Sequence, residues 1–389
     1  MGINLSQLAE KNQAETETKP QKFVQATEKK TNFLAKINDL LLKFSRIPLS
    51  EKLFFIQYLG IMLKAGISLS IALKTLAKQT TNKKFARIIT DISNNVERGV
   101  SFTESLKPHE ETFGQLFISM VESGEISGKL EEVLAQLYIQ FKKQHELISK
   151  VKGALTYPVV IIAAMIGIGT FMMIVVVPQI TAMFKEFNAE LPLATKVLIA
   201  TSDALIKHGV LVLLGLILFI ILFIKLLKTY RGKYYWQKLL LKLPIFSPII
   251  KKINLARFAR TISSLLKTDI MIIKSFQITA NVLGNLHYRQ ALEEMAVKIK
   301  KGGKINEVVA NYPKLFPPVV TQIISVGEET GELDYILSEL AQFYEGEVDQ
   351  IMNNLPSIIE PLLILTLGVV VGGMAVAIIM PMYTLTSVI

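Results

Sequence analysis

The sequence predicts an all-α integral membrane protein: two duplicated six-helix cytoplasmic bundles plus three transmembrane helices. Three observations predict it. A ten-residue stretch occurs twice, as Val121–Leu130 and Ile324–Leu333, each copy reading Gly-Glu-x-(Ser/Thr)-Gly-x-Leu. Three long apolar spans carry almost no charge. No stretch shows sustained period-two alternation, so strands are not expected.

The offset from Gly124 to Gly327 is 203 residues, and it holds far from the motif. Phe55/Phe258, Leu63/Leu266, Ile67/Ile270, Gly99/Gly302, Phe113/Phe316, Leu137/Leu340, Pro158/Pro361 and Pro178/Pro381 all obey it without a gap. This is an internal duplication, and it sets the domain organisation.

The chain has 389 residues, 51% of them hydrophobic, and a formal net charge of +11. It has no cysteine, which excludes disulfides, thiolate metal sites and cysteine catalysis. The first thirty residues are polar and lack an apolar core, so no cleavable signal peptide is expected.

Residues 1–48 form the N-terminal segment, expected to be disordered up to about residue 30. Phe33, Leu34, Ile37, Leu40, Leu41 and Phe44 then recur at helical spacing. That helix either lies on a membrane surface or packs on the following domain. Residues 49–152 make the first bundle. Its helices are expected at about 52–64, 69–79, 83–98, a short fourth before Pro108, 112–123, and 128–150. Gly66 and Gly99 supply turns, and Ser68 or Ser70, then Ser101, supply caps.

Transmembrane helix 1 is expected at 156–178. Its nineteen uncharged residues, Val159 to Val177, stand between Pro158 and Pro178 and reach about 29 Å, enough for a hydrocarbon core. Residues 179–208 form an external loop, 209–229 the second span, 253–355 the second bundle, and 360–382 the third span. Tyr230 to Lys252, between span and bundle, is basic and aromatic.

Charge orients the chain. Lysines and arginines crowd the segments before span one (Lys142, Lys143, Lys150, Lys152) and after span two (Lys225 to Lys252), while the loop between them is nearly balanced. Both bundles and the N-terminus are therefore expected in the cytoplasm, with the loop and C-terminus outside. Topology accounts for these lysines, so direct nucleic-acid binding is not expected.

The motif invites a structural account. Gly124 can end a helix with positive φ. Ser127 and Thr330 can accept from the next helix's first amides. Glu131 and Glu132, or Glu332 and Asp334, suit a first helical turn. Glu125 and Glu328 are left over. They either contact a basic partner, bind a cation, or accept amides in their own turn. Gly124–Leu130 resembles a phosphate loop only faintly: it has one residue too few between Gly124 and Gly128, and Leu130 replaces the magnesium-binding hydroxyl. Gly167 and Gly169, like Gly368 and Gly372, suit close helix packing within the membrane. Glu360, before Pro361, is either a functional acid at membrane depth or a carboxylate at a helix N-terminus. His109, His145, His208 and His287 fall at no metal-ligand spacing. No catalytic, cofactor or metal residues are expected.

The whole pattern resembles the type II secretion F / type IV pilus assembly C family of platform proteins. Two bundles ending in Gly-Glu-x-(Ser/Thr)-Gly-x-Leu, three spans in this order, Phe184-x-x-Phe187…Leu191-Pro192 in the loop, and Phe258-Ala-Arg260-Thr261…Leu265-Leu266 carry the resemblance, over about residues 50–389. Residues 1–48 depart from it, and Asp269 stands where Gly66 stands in copy one. The resemblance implies a non-enzymatic inner-membrane platform. Its bundles would dock on a hexameric assembly ATPase, and its spans would move pilin or pseudopilin subunits. It also implies other inner-membrane assembly partners, while the small-residue faces of the spans point to a homo-oligomer. A transporter would need polar or broken spans, and the spans offer only Thr170 and Thr366. A membrane-anchored enzyme would need a nucleophile and base, and no local motif supplies them.

Overall fold

Helical periodicity and glycine-terminated turns organise residues 47–186, 193–244 and 246–386, the residues described by the structure, a computed structural model. All regular elements among them are helical. The expected amphipathic helix at 33–44 and the loop residues Phe187, Leu191 and Pro192 lie outside the described residues. The chain divides into two compact units, one ending at Thr112 and the other beginning at Phe113.

The first unit holds α1 (Leu49–Lys64), α2 (Leu69–Gln79), α3 (Lys83–Glu97) and α4 (Phe102–Leu106). Phe55, Leu59, Leu73, Leu76, Phe85 and Ile89 are fully buried. Phe55 and Phe85 meet edge-to-face at 5.6 Å between ring centres. Gly66 takes φ +79° to close α1. Its N–H donates to the Leu63 carbonyl, and the Ile67 N–H reaches the Met62 carbonyl. Asn82 caps α3 through the Phe85 amide at 3.0 Å, and Ser101 caps α4 through the Glu104 amide at 3.2 Å. Ser68 occupies the cap position of α2, but its hydroxyl makes no capping bond to a described residue. Ser70 instead donates to Glu97, 3.3 Å away.

The second unit begins with α5 (Gln115–Ser127) and α6 (Leu130–Phe171), the last two helices of the first repeat. A π-helical turn, Met172–Val176, joins α6 to α7 (Val177–Glu186). Then come α8 (Leu193–Lys228), α9 (Tyr230–Leu240), α10 (Phe246–Leu266), α11 (Ile272–Val282), α12 (Leu286–Lys300), α13 (Ile305–Ala310), α14 (Pro318–Thr330) and α15 (Leu333–Thr386). The unit boundary thus falls inside the first repeat, whose last two helices are bonded to the second. Asn281 on α11 donates to Gln115 on α5 at 2.7 Å. Gln140 on α6 donates to Thr261 on α10 at 3.1 Å, and Ser264 donates back to Gln140 at 3.1 Å.

The core of the second repeat is aromatic. Phe258 meets Phe276 and Phe316 at 6.0 and 5.0 Å, and Phe316 meets Tyr288 at 5.5 Å. The Tyr288 hydroxyl donates to the Leu315 carbonyl at 2.8 Å. Burial, with the neighbouring Tyr344 second, pushes this phenol well above its ordinary pKa.

The prolines that flank the spans do not end the helices. Helix α6 runs through Pro158, and α15 runs through Pro361 without a break. A long helix absorbs the lost amide where neighbouring groups and local adjustment take up the freed carbonyl. The sixth helix of each bundle and the following span are therefore one rod. Leu130–Ala182 covers 53 residues and Leu333–Ala377 covers 45. At the α-helical rise these are roughly 80 and 68 Å long, more than twice a hydrocarbon core. The third apolar helix, Thr195–Lys228, has only a local break at His208. The expected loop at 179–208 is thus helical wherever it is described. Ser202 donates to the Met173 carbonyl at 2.5 Å, which engages a carbonyl in the π turn. Thr195 donates to the Ala377 carbonyl at 2.6 Å, tying α8 to α15.

Where the rods leave the bundles they touch. Leu147 packs with Val348 and Met352, flanked by Val151, Ala154 and Ile253. Lys150 pairs with Asp349 across the same seam. Within the most apolar stretches of the spans, nothing or almost nothing is buried inside the chain. A Cβ on Gly167, Gly169, Gly368 or Gly372 would meet no described atom within 4 Å. The close packing expected of these glycines is not made among the described residues.

Candidate functional site

The repeated motif is a helix-to-helix corner, built nearly alike in both copies. Contrary to expectation, the first helix does not end at Gly124 or Gly327. It runs on to Ser127 in copy one and Thr330 in copy two. The left-handed residues are Gly128 (φ +69°) and Gly331 (φ +75°). In copy one the Lys129 amide donates to the Gly124 carbonyl at 2.8 Å, closing the helix end.

Gly124 and Gly327 have a different task. A Cβ on Gly124 would lie 2.8 Å from Val133 Cγ2 and 3.1 Å from Leu130 Cα. On Gly327 it would lie 3.1 Å from Leu333 Cα and 3.2 Å from Ile336 Cβ. These glycines let the outgoing rod fold back against the helix that precedes it. The motif is therefore Gly-x-x-x-Gly with divided labour: the first glycine permits contact, the second reverses the chain.

The hydroxyls also differ from expectation. Ser127 donates back to the Ser123 carbonyl at 2.7 Å rather than accepting from α6. Thr330 donates to the Val326 carbonyl at 2.9 Å and accepts from the Glu332 amide at 3.4 Å. Glu131 and Glu132 do lie in the first turn of α6, as Asp334 does in α15.

Glu328 gains an explanation. Its two carboxylate oxygens accept from the Ile305 and Asn306 amides at 2.9 and 3.0 Å. These are the first amides of α13, whose own cap residue, Lys304, makes no side-chain cap. A carboxylate from one helix thus caps another, where the dipole favours negative charge. Glu125 stands at the equivalent position, 203 residues earlier. Among the described residues no group of three or more His, Cys, Asp and Glu side chains is placed to hold a metal ion.

Copy one's motif abuts copy two's first turn. Ser123 donates to the Thr268 carbonyl at 2.6 Å, Glu122 pairs with Lys274 at 2.9 Å, and Lys129 lies 3.8 Å from Asp269. Asp269 takes φ +59°, so it adopts the left-handed turn that Gly66 makes in copy one. Its amide donates to the Leu266 carbonyl, and the Ile270 amide to the Leu265 carbonyl. The turn keeps its form despite the substitution.

Arg260 was visible in the sequence but not its role. Its guanidinium grips Glu345 of α15 through two bonds, 2.8 and 2.9 Å. Lys143 of α6 approaches the same carboxylate at 3.9 Å. Beside them Arg257 Nε is buried with no hydrogen-bond partner among the described residues, and burial lowers that guanidinium's pKa. Glu360 lies exposed in the middle of α15. Because α15 is continuous there, no helix terminus stabilises Glu360, which removes the dipole account of it.

The family described as "Type II secretion system (T2SS), protein F" matches residues 55–178 and again 258–381, two blocks at the same 203-residue offset. The chain belongs to this family. The "Type IV pilus assembly protein PilC" of Thermus thermophilus is 36% identical over 335 residues, covering 86% of this chain and 82% of the relative. That of Myxococcus xanthus is 33% identical over 346 residues, covering 89% and 83%. The "Type II secretion system protein F" of Aeromonas hydrophila is 28% identical over 340 residues, covering 87% of each. The relatives' names belong to pilus assembly and secretion systems and name no catalytic activity.

Proposed function

We propose that this chain is the inner-membrane platform of a type IV pilus or type II secretion machine. In this reading it couples a hexameric cytoplasmic ATPase to polymerisation of pilin or pseudopilin. One observation carries the coupling: the last helix of each repeat continues without a loop into the following apolar span, through a π turn in span one. Leu134, Leu137 and Phe141 of α6 are buried, and some thirty residues further the same helix is apolar and uncovered. Rotation or tilt of the packed helices that hold this rod then moves the span with it, with no loop to absorb the motion. Bundles and N-terminus face the cytoplasm and the C-terminus faces outward, which the lysine distribution favours.

Repeat one offers the more open surface for the ATPase. Tyr58 and Ile61 on α1 are 41% and 53% exposed, whereas their equivalents in copy two, Thr261 and Ser264, are buried. The deciding experiment inserts three glycines after Lys152, between bundle and span. ATPase binding by the detergent-purified variant should persist while filament assembly in cells is lost. Assembly at the parental level would refute rigid coupling. Tyr58→Asp with Ile61→Asp should weaken ATPase binding about tenfold or more, and unchanged affinity would remove this face from the interface.

A further inference from the structure

Helix α9 carries a basic and aromatic sequence that platform function leaves unused. It follows span two after a single residue, Thr229, and is held at that place from both sides. Trp236 meets Phe223 of span two edge-on at 5.8 Å. On its other face, Gln237 donates to the Gly284 carbonyl at 3.1 Å and accepts from the Leu286 amide at 2.8 Å. Gln290 of α12 donates to the Tyr230 hydroxyl at 2.9 Å. A helix with exposed Tyr230, Tyr235 and Trp236 beside the charged end of a span has the composition of a membrane-interface element.

Between α9, the start of α10, α12 and the loop before α14 lies a cavity of about 640 Å³. Lys238, Lys242, Lys251 and Lys314 line it, with Tyr234 and one acid, Glu294. Glu294 is engaged by the Tyr312 hydroxyl, and burial, with this bond second, pushes that phenol up to about 12. None of the four lysines pairs with a carboxylate among the described residues. Lys298 adds a fifth cation at the edge, 5.4 Å from the Tyr312 ring centre. Four lysines around one cavity, with one acid among them, make it favourable to an anion.

We propose that this cavity binds the phosphate headgroup of an anionic lipid from the cytoplasmic leaflet. The volume suits a glycerophosphate headgroup. The position, at the foot of span two behind an interfacial helix, puts the cavity at headgroup level. The ammonium groups favour phosphate over a zwitterion, whose own cation they would repel. This rests on the membrane reading above, which is tested separately by whether the chain needs detergent for extraction.

Trp236 is the chain's single tryptophan, so its fluorescence reports on α9 alone. The full chain in neutral detergent is titrated with short-chain phosphatidylglycerol, with phosphatidylcholine, and with inorganic phosphate. Phosphatidylglycerol should saturate the signal at least tenfold more tightly than phosphatidylcholine, and millimolar phosphate should compete weakly. Replacing the four lysines with glutamine should lower phosphatidylglycerol affinity by about fivefold per lysine. Replacing them with arginine should restore it, and Lys301→Gln with Lys304→Gln should change nothing. Equal binding of both lipids, equal binding by the glutamine variant, or tight binding of free phosphate with none of lipid would each overturn the assignment.

Discussion

Gly327→Ala isolates the close approach at the motif, because the same substitution at Gly346 supplies its control. Both glycines lie in helices, so each alanine gains about 1 kcal/mol of helix propensity. At Gly346 the new methyl meets nothing within 4 Å, and that gain should stand. At Gly327 it meets Leu333 Cα at 3.1 Å and Ile336 Cβ at 3.2 Å, a few tenths of an ångström inside ordinary contact. One of those atoms is backbone and the other is anchored at a Cβ, so no rotamer change relieves the contact and the rod must back away. Overpacking of this kind costs roughly 1–3 kcal/mol. Propensity cancels between the two variants, and their difference is the overpacking alone. At roughly 2–4 °C per kcal/mol for a unit this size, Gly327→Ala should melt some 2–12 °C below Gly346→Ala. Thermal melting of the detergent-purified chain, followed by circular dichroism at 222 nm, reads the difference. Gly124→Ala should fall further, since its methyl would sit 2.8 Å from Val133 Cγ2. If Gly327→Ala melts with Gly346→Ala, the first glycine of the motif is not there for contact.

Glu328→Ala should destabilise the second repeat by about 1–2 kcal/mol through loss of the cap on α13, with Glu328→Gln intermediate; hydrogen exchange at Ile305 and Asn306 unchanged from the parent would refute it. Asp269→Gly should stabilise by about 1 kcal/mol, because it relieves a left-handed non-glycine residue and gives up only an exposed contact to Lys129; a lower melting temperature would refute it. Arg257→Met should be neutral or stabilising, since it removes a partly desolvated cation with a buried, unpartnered nitrogen; a loss above about 2 kcal/mol would mean the guanidinium has an essential partner. Tyr288→Phe should cost about 1 kcal/mol near pH 8 by deleting the bond to Leu315. The parent's phenol is raised when folded, so its stabilising share is full below pH 10 and falls as pH climbs beyond 10. The parent's lead should therefore shrink above pH 10, and a constant lead up to pH 11.5 would refute the burial argument.

The duplication, the three spans and the turn glycines were legible because each follows from local pattern at one period. What was misread is tertiary. Gly124 and Gly128 look equivalent in sequence, and only the partner helix tells a contact glycine from a chain-reversing one. Pro158 and Pro361 read as boundaries because local rules stop helices there, yet the rods absorb them. Glu328 had no local partner to find, because its amides lie 22 and 23 residues back, on another helix. Asp269 was visible as a departure from glycine, but that the backbone would hold the same turn was not.

The two copies diverge where the second one is covered. Copy two places Arg257, Arg260, Thr261, Ser264 and Glu345 where copy one has Phe54, Gln57, Tyr58, Ile61 and Lys142. In copy two this face receives α6 through Gln140 and Lys143, and Arg260, Thr261, Ser264 and Glu345 are matched by partners there, Arg257 Nε being the exception. In copy one the same face keeps apolar Tyr58 and Ile61 exposed. A simple duplication would leave both faces alike. Specialisation of one for an internal rod, and retention of an open apolar one on the other, is what a platform needs if its first repeat meets a partner while its second fixes the rods. The pair of substitutions at Tyr58 and Ile61 therefore tests more than one contact: it asks whether the asymmetry between the repeats is itself the docking code.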